Sequence, residues 1–126
     1  MKLRLRKGSI RLRLSMSEVV RFAETGAVEE KIQFGVSADE RLTYRLAATA
    51  VGPIRAAFDA NKITVYLPLI EAREWTATDQ VGMQGEQAAS GGGTLQILVK
   101  KDFTCLEPRF GVDDVDTFPH PMQCSQ

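Results

Sequence analysis

One order of strand, helix and turn signals runs twice through this chain, the second copy displaced from the first by 53 residues. Ile10, Leu12, Leu14, Glu18, Phe22, Thr25, Val28, Leu42, Tyr44 and Leu46 recur as Ile63, Val65, Leu67, Glu71, Trp75, Thr78, Val81, Leu95, Ile97 and Val99. Identity between the copies is modest, but the apolar positions keep their spacing. A repeat of this length is one supersecondary unit that cannot bury its apolar face alone. The two copies must therefore complete each other, and any account of function has to come from the ways in which they differ.

Within the first copy, Leu3-Arg4-Leu5-Arg6 and Ile10-Arg11-Leu12-Arg13-Leu14 alternate with period two across Lys7-Gly8-Ser9. This predicts a β-hairpin with aliphatic residues on one face and arginines on the other. Ser15-Met16-Ser17-Glu18 fits a capping box, and Gly26 is placed to stop the short helix that follows. Val28, Ile32 and Phe34 predict a third strand, a polar loop spans Gly35 to Arg41, and Leu42, Tyr44 and Leu46 predict a fourth. The unit reads strand, strand, helix, strand, strand.

The second copy follows the same order. Ile54 to Phe58 is its first strand, and Asp59-Ala60-Asn61-Lys62 is a turn in which Asn61 can take a left-handed conformation. Ile63 to Leu67 is the second strand, and Pro68 suits the first position of the next helix. Val81 and Met83 begin the third strand. Gln84 to Gly93 is expected as a loop, before Leu95, Ile97 and Val99 close the copy. The copies run from 2 to 51 and from 54 to 103, joined at Gly52-Pro53. Packed face to face, two such units can close a small barrel and remove their exposed edges. Residues 105–126 lie outside the repeat as an acidic, irregular extension of the barrel domain, which occupies residues 1–104.

Sixteen basic residues balance sixteen acidic ones, so no net charge draws the whole molecule to nucleic acid or anionic membrane. No apolar run approaches the roughly 20 residues that span a bilayer. The N-terminus alternates where a signal peptide would be continuously apolar, and two cysteines are too few for a disulfide scaffold. The expectation is a soluble cytoplasmic protein.

Lys7-Gly8-Ser9-Ile10-Arg11-Leu12-Arg13-Leu14-Ser15, followed by a capped short helix, resembles the AbrB/MazE/SpoVT family of swapped-hairpin barrels. The second copy carries the other half of that signature in Val65-Tyr66-Leu67-Pro68 and Thr78-Asp79-Gln80-Val81-Gly82. The resemblance covers residues 2 to about 102. It implies a mainly β, pseudo-twofold barrel of duplicated ββαββ units, in which one chain holds what the family assembles as a dimer. A monomer is therefore sufficient, although the oligomeric state stays open. The family binds DNA through arginine-rich hairpins. Matched to that hairpin are Lys7, Arg11 and Arg13, with Arg4 and Arg6 on the same face. The second copy departs from the pattern, because the counterparts of Arg6, Lys7, Arg11 and Arg13 are Asp59, Ala60, Thr64 and Tyr66. Half of a symmetric reader's basic surface is missing.

Six basic residues, Lys2, Arg4, Arg6, Lys7, Arg11 and Arg13, fall within the first thirteen positions without an acid among them. They form either a ribbon that meets double-stranded DNA or an acidic protein partner, or the solvated face of a hairpin paired with Glu29, Glu30 or the acidic extension. The extension carries Cys105, Glu107, Asp113, Asp114, Asp116, His120 and Cys124, all metal-ligating types, but no close pair such as Cys-x-x-Cys. It reads instead as an extended segment, held by Pro119 and Pro121, that packs Phe110 and Phe118 onto the barrel and is acidic enough to cover the basic hairpin. No nucleophile elbow, phosphate loop or acid–base pair is present. The resulting expectation is a non-enzymatic binding module without metal or cofactor. It either binds DNA through the first hairpin or, having lost that activity, serves as a protein-interaction or small-ligand-binding barrel.

Overall fold

The computed structural model describes residues 1–103 and Phe118. Eight strands and two helices follow the predicted order: β1 (Lys2–Arg6), β2 (Ser9–Leu14), α1 (Met16–Thr25), β3 (Ala27–Gln33), β4 (Arg41–Thr49), β5 (Arg55–Asp59), β6 (Lys62–Pro68), α2 (Leu69–Ala77), β7 (Gly82–Ala88) and β8 (Thr94–Lys101). They make two four-stranded sheets, ordered β1-β2-β8-β7 and β3-β4-β6-β5. Each sheet takes one hairpin from each copy. The hairpins meet through parallel pairs at the sheet centres, β2 with β8 and β4 with β6.

Equivalent bonds recur in the two copies. The Gln96 amide donates to Gly8 O at 2.8 Å, and its counterpart, the Thr43 amide, donates to Asn61 O at 3.0 Å. The Thr25 hydroxyl donates to Arg21 O, and the Thr78 hydroxyl to Glu74 O, each closing the end of its helix. The inward residues Leu12, Leu14, Leu46, Val65, Leu67, Trp75, Ile97 and Val99 are all but fully buried. Phe22 and its counterpart Trp75 touch each other edge to face, with ring centroids 6.1 Å apart. Two residues related by the repeat come into contact only if both lie close to the pseudo-twofold axis.

The hydrogen-bond ladder does not close into a barrel. β1 and β7 end one sheet, and β3 and β5 end the other. The seam between β5 and β7 is spanned instead by a side chain: Gln87 Nε2 donates to Ala56 O at 2.9 Å, and Gln87 Oε1 accepts from the Ala56 amide at 2.8 Å. One amide group thereby takes up two backbone groups that an adjacent strand would satisfy. On the opposite side, Tyr44 Oη donates to Met1 O at 2.7 Å, and the Met1 ammonium lies 3.5 Å from Glu30.

Three further expectations are corrected. The constant offset breaks between helix and third strand, where Val28, buried opposite Leu46, corresponds to Met83, buried opposite Val99. Val81 precedes its strand and is half exposed. The cause is the helix ends. Gly26 caps α1 at φ +84° with its amide on Phe22 O, so β3 starts at once; α2 ends at an extended Thr78, and its exit needs two more residues. The β7–β8 loop is shorter by two and restores the register. Secondly, residues 84–88, expected in a loop, continue β7. Here Gly85 lets the chain pass close to Ile54, whose Cβ would lie 3.0 Å from any Cβ built on the glycine. Thirdly, Pro68 precedes α2 as its N-cap and is not its first helical residue.

Candidate anion-binding face

The registers of the first sheet turn the outward residues into a grid. Lys2 lies beside Arg13, then Lys100, then Gly82; Arg4 lies beside Arg11, Leu98 and Gln84; Arg6 lies beside Ser9, Gln96 and Glu86. Lys2, Arg4, Arg6, Arg11 and Arg13, all expected at the site, therefore share one surface. Lys7 sits apart at the β1–β2 turn, exposed. The equivalent face of the second sheet is mixed in sign, with Arg45 beside Glu29 and Asp59 opposite Lys62. The basic surface is one-sided, as the differences between the copies imply.

Like charges side by side on a strand pair repel, so this arrangement costs stability. Asp102 offsets the first row. Its amide donates to Leu14 O at 2.8 Å, and its carboxylate lies 2.7 Å from Lys2 Nζ and 3.3 Å from an Arg13 Nη. No carboxylate among the described residues pairs with the second row. Arg11 Nη1 is shut off from solvent without a hydrogen-bond partner among the described residues. A buried donor left in that state costs about 1–3 kcal/mol, more for a charged group. The Arg4 guanidinium is held below its ordinary pKa by Arg6, with smaller effects from burial, Arg11 and Arg13. Lys100 is also lowered, by burial first and then by Arg13 and Arg11, against the pull of Asp102. Together Lys2, Leu3, Arg4, Arg11 and Arg13 line a cleft of about 220 Å³.

Lys100 and Asp102 were not foreseen. Both reach the site through the parallel β2–β8 pair, which joins residues nearly ninety positions apart. The expected counter-charges, Glu29 and Glu30, lie elsewhere. Glu29 pairs with Lys62 at 3.3 Å and Lys31 at 3.9 Å, while Glu30 faces the Met1 ammonium. Phe118 packs as expected, edge to face on Phe103 at 5.7 Å, with its amide donating to Asp102 O at 2.7 Å. Cys105, Glu107, Phe110, Asp113, Asp114, Asp116, Pro119, His120, Pro121 and Cys124 lie outside the described residues.

A second concavity opens between the sheets at the end away from the helices. It has a volume of about 550 Å³ and is lined mainly by Leu5, Ile10, Leu42, Phe58, Ile63 and Leu95, with Ala56 and Gln87 at one side. Leu5 and Phe58, counterparts in the repeat, are 57% and 71% exposed at its edge. Among the described residues, no helix is long and apolar enough to cross a membrane.

A family model described as a family of unknown function (DUF7009) matches residues 1–122. No curated protein and no solved structure matches the chain.

Proposed function

Because the chain belongs to DUF7009, a family of unknown function, we infer its role from the site, and propose a non-enzymatic binding module that holds duplex DNA on the outer face of its first sheet. The observation that carries this reading is the Arg4–Arg11 row: adjacent guanidiniums with no counter-charge among the described residues. A phosphate oxygen supplies the counter-charge that the row lacks. The exchange of hairpins between the two sheets supports the likeness to AbrB-type regulators, with one chain standing in for a dimer. Binding here is one-sided, since Asp59, Ala60, Thr64 and Tyr66 occupy the second copy's equivalent positions. Backbone contact without a symmetric pair of half-sites therefore dominates, and sequence preference is weak.

The test is a mobility-shift titration with duplex DNA at low salt. Arg4→Ala and Arg11→Ala each weaken binding more than Lys2→Ala, because Lys2 is already partly neutralised by Asp102. Asp102→Asn tightens it. Equal effects at all three basic positions would remove the basis for the assignment.

The second concavity favours another reading, in which the chain is a small-ligand-binding module. At about 550 Å³, the space falls inside the range of about 300–1,000 Å³ typical of ligand pockets.

A further inference from the structure

The pocket between the sheets owes its size to a difference between the copies. At the β1 and β3 edges, Leu3 and Ile32 are the equivalents of Ala56 and Gln87 at the β5 and β7 edges. Two aliphatic residues are thus replaced by a smaller one and by an amide. Both ends of that amide are taken up by the Ala56 backbone, so Gln87 closes the seam without filling the space beside it. The large apolar residues of the lining repeat by pairs: Leu5 with Phe58, Ile10 with Ile63, and Leu42 with Leu95. Of the described residues that line it, Arg6 alone is charged. Arg6 belongs to the outward row with Ser9, next to Arg4, and lies at the hairpin turn where that face meets the mouth of the pocket; its counterpart Asp59 takes no part in the lining.

We propose that this pocket binds a single-chain amphipathic anion, its hydrocarbon body between Leu42, Ile63 and Leu95 and its charged head on Arg6. The assignment rests on the ligand-binding reading above and gives it a chemical class. Apolar walls on both sides favour a methylene chain, which gains from each carbon removed from water. One cation at the opening favours an anionic head over a neutral or cationic one. A flat protein partner would leave the space between the sheets unfilled, whereas a flexible chain can enter it. Leu5 and Phe58, left bare at the edge, then cover the bound chain.

The probes are octanoate, decanoate and dodecanoate below their micellar concentrations, titrated calorimetrically, with decanol as the neutral control. Affinity rises about two- to fourfold per added methylene. Ala56→Leu, which restores the residue of the first copy, weakens decanoate about tenfold by filling the space. Phe58→Ser at the exposed edge weakens it too, and cannot act through loss of the core. Arg6→Gln weakens decanoate about fivefold and leaves decanol unchanged. Retention on heparin, measured on the same proteins, is unaltered by Ala56→Leu and Phe58→Ser, so failure of this site and failure of the basic face are distinguishable. The proposal is overturned if decanoate does not bind, or if its binding ignores both Ala56→Leu and Phe58→Ser. It is equally overturned if the protein is a dimer that Phe58→Ser dissociates, which would make a second copy the occupant.

Discussion

Burial alone would push the Glu18 carboxyl above its ordinary range, yet the group ends below it. The Met1 ammonium and the Ser15 amide, which donates to Oε1 at 2.9 Å, together with the Ser15 hydroxyl, outweigh the loss of water. The same glutamate completes the capping box of α1, so one side chain fixes both the helix start and the entry into β1. A carboxyl held lower in the folded chain than in the unfolded one stabilises the fold above its unfolded pKa. That contribution is lost as pH falls through the folded value. Urea unfolding at several pH values is therefore expected to show a loss of stability on acidification below the ordinary carboxylate range, and Glu18→Gln is expected to flatten it. An unchanged pH profile in the variant would mean that the ammonium contact contributes nothing in solution. Among the arginines, the same reasoning separates residues by their surroundings: Arg13 has Asp102, while Arg11 has a buried donor and no described acceptor.

At the scale of elements, the helix ends decide how the copies differ. Gly26 sits at φ +84° with nothing within 4 Å of where a Cβ would stand, so Gly26→Ala meets no clash and costs only the left-handed backbone. The expected loss is about 1–2 kcal/mol, read as a lower midpoint in thermal unfolding with the fold intact. The order of strands and the apolar grid were legible in the sequence because period two and the repeat agreed at Ile10, Leu12, Leu14 and their counterparts, whereas the parallel pairs between copies were not. The slip before β7 was not legible. Val81 is apolar and stands where a copy of Val28 should, and only the ladder to β8 shows that Met83 does the packing. Nor could Gln87 be placed. A polar residue pointing inward breaks the alternation that defines a strand, and its partner, the Ala56 backbone, lies on another hairpin. The arginines of the site were legible from their alternation, whereas Lys100 and Asp102 needed the parallel pairing between copies. Composition carried no hint of the pocket, because it arises from an Ala and a Gln at positions that Leu3 and Ile32 occupy elsewhere.

For the molecule as a whole, the exchange of hairpins makes the copies inseparable. Each sheet holds β-strands from both, and the central parallel pairs cross between them. A chain cut between residues 51 and 54 is expected to yield two pieces that show no cooperative unfolding alone and recover it when mixed, followed by circular dichroism. An independently folded half would contradict the interleaving. Linked in one chain, the two halves can differ: the core is symmetric, while one outer face carries cations and the other mixes its charges. The pocket and the basic face both follow from that divergence. The most direct measure of the basic face is the salt dependence of duplex DNA binding. Each phosphate contact contributes about 0.9 to the slope of log affinity against log salt. A linear fall with a slope of about −3 to −5 is expected on that basis, reduced by about one in Arg11→Ala. Binding that is absent at low salt, or a slope that Arg11→Ala leaves unchanged, would contradict it.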